Sequence, residues 1–204
     1  MIILTFGSIC VSLLIPDKNN HIFEFIMTAV KVKDKEFEKS IDAAVIDSTV
    51  KKIAFEINRD YEGKNPLFLS ILNGSFVFAA DLVRKINIPC QISFVKLSSY
   101  SGHDSTENVK ELIGLNEDIN GRDLIIIEDI VDTGLTMEIL LKNLEEFKPA
   151  SVRLACLIFK KEAFKKKFRI DYLGITIPNE FVVGYGLDYD GYGRNLPDIY
   201  KMVE

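Results

Sequence analysis

Four consecutive aliphatic residues, Leu124-Ile125-Ile126-Ile127, lead directly into Glu128-Asp129 and, two apolar residues later, into Asp132-Thr133-Gly134-Leu135-Thr136. Such a run specifies a strand buried on both faces, which places it in the interior of a sheet covered on both sides. Ligands of open α/β sheets bind beyond the carboxyl ends of these strands. Here the chain supplies carboxylates, hydroxyls and a glycine at that point. Gly134 lets backbone N–H groups turn inward, Thr133 and Thr136 add hydroxyls, and a helix starting near Thr136 adds the positive end of its dipole. These donors suit a phosphate monoester. No Gly-Lys-Ser/Thr follows, so the loop is not a Walker A phosphate loop. The adjacent carboxylates suit a sugar diol, whose hydroxyls need acceptors.

The remaining periodicities agree with an α/β chain. Asp34 as a cap, Glu36 in a first turn, and Phe37, Ile41, Ala44, Val45, Ile53 and Ile57 at helical spacing predict a long packing helix that ends at residues 63–66. Residues 67–72 read as a strand bounded by Asn73-Gly74, and Phe76, Ala79, Ala80 and Val83 again step at helical spacing. Residues 90–97, 124–127 and 152–159 read as further strands, with a helix over 137–144. Strands alternating with helices imply a mostly parallel central sheet flanked by helices, because each parallel crossover needs a helix to bring the chain back. The polar stretch 98–106 predicts a long mobile loop, and the Gly- and Tyr-rich tail 178–197 predicts irregular chain or short strands. The basic cluster Lys160, Lys161, Lys165, Lys166, Lys167 and Arg169 reads as a solvated helix face.

Composition narrows the function. A chain of 204 residues with 25 Lys and Arg against 30 Asp and Glu carries a net charge of −5, which argues against a protein held on nucleic acid by overall charge. Cys10, Cys90 and Cys156 show no C-x-x-C spacing, so neither a disulfide framework nor a thiolate zinc site is expected, and a reducing, cytoplasmic compartment fits. His21 and His103 lack partners at metal-ligand spacing. Eleven of the first 15 residues are apolar, too short a run to span a bilayer, and no basic residue precedes Lys18 as a secretory signal would want. A turn-like break at 16–20 separates this stretch from Met27-Thr28-Ala29-Val30-Lys31. Residues 1–26 are therefore expected to be a loosely attached extension, and 27–204 the domain.

The chain resembles the hypoxanthine-guanine branch of the type I phosphoribosyltransferases. The matching stretches are Leu72-Asn73-Gly74-Ser75, Lys96-Leu97-Ser98-Ser99-Tyr100, residues 128–136, Leu157-Ile158-Phe159-Lys160-Lys161 and residues 177–194, in order along the chain. The resemblance implies the type I fold with a small hood built from the terminal segments. It also implies transfer of 5-phosphoribosyl from its pyrophosphate to N9 of hypoxanthine or guanine. Glu128 and Asp129 resemble the pair that holds the ribose hydroxyls, directly or through Mg2+. Asp132 matches the acceptor of the proton on purine N7, and Thr133, Gly134, Leu135 and Thr136 match the loop around the 5′-phosphate. Leu72, Asn73 and Gly74 resemble the pyrophosphate loop, where a non-proline cis peptide is frequent and would fall at Leu72-Asn73. Ser99 and Tyr100 fit the loop that closes over the reaction. Lys160 corresponds to the contact to the 6-oxo group, Phe181 to the ring on the base, and Val182 to a backbone contact at the base edge. Asp188 corresponds to a magnesium ligand near the pyrophosphate and Arg194 to a pyrophosphate contact. Dimers or tetramers are usual in the family, and the resemblance implies neither nucleic-acid nor membrane partners.

Three positions depart from the pattern. Asn73 and Ser75 replace a more usual basic residue and a second glycine, and Leu135 stands where some members carry Lys or Arg. Two other readings stay open: a transferase for another base, such as xanthine or a pyrimidine, and a non-catalytic sensor of the phosphoribosyl ligand. Lys160 and Phe181 favour a 6-oxopurine, and Asp132 with the Ser99-Tyr100 loop favours catalysis. Because every motif lies beyond the extension, a chain beginning at Met27 should match the full chain in activity and thermal midpoint. Loss of folding on that truncation would show the extension to be structural.

Overall fold

The aliphatic runs assemble into a single sheet. The structure, a computed structural model, describes residues 29–98, 111–113 and 115–203. In chain order the elements are β1 (Ala29–Val32), β2 (Lys35–Ile41), α1 (Ala43–Asp60), β3 (Leu67–Leu72), α2 (Phe76–Val83), β4 (Gln91–Ser98), β5 (Glu111–Ile113), β6 (Asp123–Val131), α3 (Leu135–Glu145), β7 (Ser151–Lys160), β8 (Tyr172–Ile177), β9 (Val182–Val183) and β10 (Ile199–Met202). They fall into two compact units: Ala44–Asn179, and a unit formed by the chain up to Ala43 with Glu180 onward.

The larger unit carries a sheet in the order β5-β4-β3-β6-β7-β8. Strands β4, β3, β6, β7 and β8 pair in parallel, and β5 runs antiparallel on the edge of β4. From β3 the chain steps to β4 on one side and later returns through β6 on the other. Strand order therefore reverses between β3 and β6, the position at which such sheets open a crevice for ligands. The core joins Leu67, Leu69 and Ile71 of β3 to Leu124 and Ile126 of β6, Leu154 and Cys156 of β7, and Met137, Leu140 and Leu144 of α3. Each such side chain contributes roughly 1.5–3 kcal/mol on burial. Helix α1 buries Ile46, Val50, Ile53, Ala54 and Ile57, and α2 packs on β3 and β6. Neither these helices nor α3 is long and apolar enough to cross a membrane.

The smaller unit is a four-stranded antiparallel sheet, β1-β2-β10-β9, closed around Val32, Phe37, Val183 and Tyr200. It is built from the two terminal segments, as expected for the hood. The helix expected from Asp34 onward is corrected here, since residues 35–41 are strand and the helix begins at Ala43. Phe37 and Ile41 both lie on the buried face of β2, and a spacing of four satisfies a period of two as well as one of 3.6. Lys33, at φ 55°, and Asp34 turn β1 into β2. Val45, expected on the packing face of α1, is exposed, and α2 buries Phe78, Ala79 and Leu82 rather than Phe76. The basic cluster after Lys160 forms no helix: residues 161–163 turn and 164–170 are irregular. The extension expected over 1–26 and the loop expected over 98–106 lie outside the described residues, apart from Ser98 at the end of β4.

An ion-pair and hydroxyl network ties the end of α1 to β7 and β8. Arg153 Nη1 donates to Asp60 Oδ2 at 2.8 Å and to the Tyr172 hydroxyl at 2.8 Å, and that hydroxyl donates to Asp60 Oδ2 at 3.1 Å. Arg59 donates twice to Asp60 Oδ1. The Arg59 contacts foremost, with those of Tyr172 and Arg153, hold the Asp60 carboxyl below the usual carboxylate range. Asp60→Asn should therefore cost about 1–2 kcal/mol, the worth of hydrogen bonds to a partly buried charge. A carboxylate with a lowered native pKa stabilises above its unfolded value of about 3.9 and loses that contribution as pH falls through the native value. In urea titrations the deficit of Asp60→Asn should be full at neutral pH and vanish at the acid end.

Candidate active site

The two central strands part company at their carboxyl ends. Strand β6 pairs with β7 as far as Val131, but with β3 only as far as Ile127. Glu128 and Asp129 therefore sit within the strand, on the stretch that no longer pairs with β3, and not in the loop beyond it as the four-residue aliphatic run implied. Consecutive side chains on a strand leave from opposite faces. Glu128 is in register with Cys156 on β7. The buried Cys156 thiol is pushed far above its ordinary pKa, mainly by desolvation and next by the charge of Glu128. Asp129 projects toward the loop after β3: a Cβ at Gly74 would stand 1.6 Å from its Oδ2. Only glycine leaves room for that carboxylate.

The loop after β3 begins with a cis peptide at Leu72-Asn73. Ser75, at the usual glycine's place, is buried, donates to the Ile71 carbonyl and lies 2.7 Å from the hydroxyl of Ser70. Ser70 is itself fully buried. The departure at Ser75 thus ties the loop back to its own strand. Neither serine's role was predicted, although a lone Ser in the run Leu67-Phe68-Leu69-Ser70-Ile71-Leu72 is a signal that a polar partner waits nearby.

At the end of β6, residues 132–134 lead into α3, which starts at Leu135. Gly134 occupies the N-cap at φ 81°, a left-handed conformation that glycine adopts without steric cost. The Leu135 N–H donates to Thr133 Oγ1 at 3.4 Å, and Leu135 itself is exposed. Lys160 is the last residue of β7. It is only 8% exposed, against the solvated position its basic neighbours imply, and its Nζ lies 2.9 Å from Asp132 Oδ2. The Asp132 side chain remains 45% exposed, so an incoming group can reach it. The proposed proton acceptor and the proposed 6-oxo contact are thus brought together from loops 28 residues apart.

Four further candidates lie in the terminal unit. Phe181 is exposed and meets Tyr189 edge-on at 5.9 Å and Phe37 at 6.3 Å, so its ring is braced while part of it stays open. Val182 is buried on β9 opposite Lys201 of β10. Arg194 pairs with Asp188 at 2.6 Å and donates to the Gly186 carbonyl at 2.6 Å, while Asp188 also accepts from the Gly191 N–H. Ser99 and Tyr100 lie outside the described residues.

The phosphoribosyl transferase domain family matches residues 41–190. A hypoxanthine-guanine phosphoribosyltransferase of Lactococcus lactis subsp. lactis is 42% identical over 167 residues, covering 80% of this chain and 90% of that protein. The chain belongs to this family. The hypoxanthine-guanine phosphoribosyltransferase of Aquifex aeolicus is 37% identical over 176 residues, 85% of this chain and 98% of that protein. A solved hypoxanthine-guanine phosphoribosyltransferase from Bacillus anthracis, with a HEPES molecule in its active site, superposes with a TM-score of 0.73 at 36% identity, covering 82% of this chain and 97% of that one.

The donor set of this hypoxanthine-guanine phosphoribosyltransferase family member also bears on a metal. Among the described residues, no three His, Cys, Asp or Glu side chains converge on one point. A carboxylate donor set short of three protein ligands suits a hard cation that keeps waters and takes substrate oxygens, the habit of Mg2+ rather than of Zn2+, and Asp129, aimed at the loop after β3, is the side chain placed to offer it. The close approach at Gly74 can be tested alone. Gly74→Ala must push Asp129 aside, so it should lower the thermal midpoint by an amount equivalent to about 1–3 kcal/mol, the usual cost of overpacking. An unchanged midpoint would show that Asp129 moves freely.

Proposed function

We propose that the protein transfers the 5-phosphoribosyl group from 5-phosphoribosyl 1-pyrophosphate to N9 of hypoxanthine, and of guanine, giving the nucleoside monophosphate and pyrophosphate. The buried Lys160 paired with Asp132 at the mouth of the phosphate loop carries this reading. It sets a cation to donate to a purine 6-oxo oxygen beside a carboxylate able to accept the proton from N7. In the reaction the bond from C1′ to the pyrophosphate oxygen breaks, N9 forms the new bond to C1′, and the N7 proton passes to an Asp132 oxygen. Backbone N–H groups and hydroxyls of residues 133–136 hold the 5′-phosphate, and Glu128 and Asp129 accept from the ribose hydroxyls. Residues 72–74 hold the pyrophosphate, and the turn there leaves the side chain of Asn73 exposed. Phe181 packs on the base, and the Val182 backbone contacts its edge. Ser99 and Tyr100 close over the sugar, because water would capture so electrophilic a carbon.

Mg2+ is the fitting metal: Glu128 and Asp129 would hold it at the ribose hydroxyls, Asp188 would be a ligand near the pyrophosphate, and when bound it would offset the charge of the pyrophosphate. Arg194 contributes to pyrophosphate binding once released from Asp188. The chain works in a reducing, cytoplasmic setting, as a dimer or tetramer in the manner of its family. A 6-oxo acceptor satisfies Lys160, whereas the amino group of adenine would leave a buried cation facing a donor.

Incubation with the sugar donor, magnesium and each purine base, followed by nucleotide detection, tests the reaction. Hypoxanthine should be converted and adenine should not. Asp132→Asn keeps the shape and most of the hydrogen bonding but cannot take the proton, so turnover should fall roughly 10²- to 10⁴-fold while donor binding persists. Near-normal turnover in that variant would remove Asp132 from the base role.

A further inference from the structure

The irregular segment after β7 touches the phosphate loop at three separate points. A Cβ at Gly134 would lie 2.7 Å from the ring of Phe164 and 3.1 Å from Cγ of Lys166. The Lys165 N–H donates to the Thr133 carbonyl at 3.3 Å. Lys166 Nζ pairs with Glu138 Oε2 at 2.8 Å, and both side chains are partly exposed. Phe164 is held in turn between Phe159 at 5.2 Å and Phe168 at 5.1 Å, both edge to face, so the wall it presents to Gly134 is braced from behind.

Glu138 stands in the first turn of α3. A carboxylate there favours the helix, but it also places negative charge within a turn of the loop assigned to a phosphate dianion. That loop, residues 132–136, carries no cationic side chain of its own. Lys166 is the cation that meets Glu138 most directly, and the pair holds the Glu138 carboxyl below its ordinary range.

We propose that Lys166 is a positioning residue of the 5′-phosphate site, cancelling the Glu138 charge at the start of α3 while its segment walls the loop at Gly134. This deepens the proposed transferase reading and rests on residues 132–136 being the phosphate loop. The experiment compares Lys166→Met, Lys166→Arg, Glu138→Gln and the double variant Lys166→Met/Glu138→Gln for donor dissociation constant by calorimetry and for KM and kcat. Lys166→Met should raise the donor dissociation constant and KM by about three- to tenfold, the scale of one unmatched charge at a helix terminus, with kcat within about twofold. Lys166→Arg should stay near the unsubstituted protein. The double variant lacks the same tie and so carries any purely structural loss, yet it should recover most of the donor affinity because the unmatched charge is gone. Unchanged donor binding in Lys166→Met, or a double variant as weak as the single one, overturns the proposal. Absence of donor binding in the unsubstituted protein would instead overturn the assignment of the loop, and the proposal with it.

Discussion

Strand β6 stays paired with β7 after its pairing with β3 has ended, and most of the candidate site follows from that difference. Its first half is aliphatic and buried on both faces, which anchors it in the middle of the sheet. Its second half is held by β7 alone, so one edge is released where the polar residues begin. A carboxylate in the fully paired part of a parallel sheet would face a heavy desolvation cost. On the stretch that no longer pairs with β3, Asp129 can instead occupy the space left above Gly74, where the chain leaving β3 has turned away.

Charge at the carboxyl ends of β6 and β7 is arranged in pairs. Asp132 of the loop after β6 has Lys160, and Glu138 in the first turn of α3 has Lys166, each pair at hydrogen-bonding distance and each reaching the chain at or after the end of β7. An acidic protein that handles a polyanionic sugar phosphate must keep its own carboxylates from repelling the substrate. Pairing them locally does this without a basic surface, which agrees with the net charge of −5.

The terminal unit follows a different logic. Short strands from opposite ends of the chain can bury only a small core, and the aromatic group of Phe37, Phe181 and Tyr189 supplies much of the apolar surface beside it. Asp198 stiffens the same unit: it accepts from the Ala43 N–H at 2.7 Å and pairs with Lys39 at 3.2 Å.

From the sequence alone, the α/β class, the central position of residues 124–127, the helix at 76–83 and the glycine-bearing turn from the end of β6 into α3 were legible, because burial on both faces and turn chemistry are local properties. The family resemblance added the residues to watch. Residues 35–41 read as helix because Phe37 and Ile41 satisfy both periods, and pairing with β1 and β10 decides for strand. The role of Ser75, the contact of Asp129 with Gly74 and the burial of Lys160 against Asp132 could not be read from the chain. They depend on where β3, β6 and β7 end relative to one another, a property of strand register that no single segment carries.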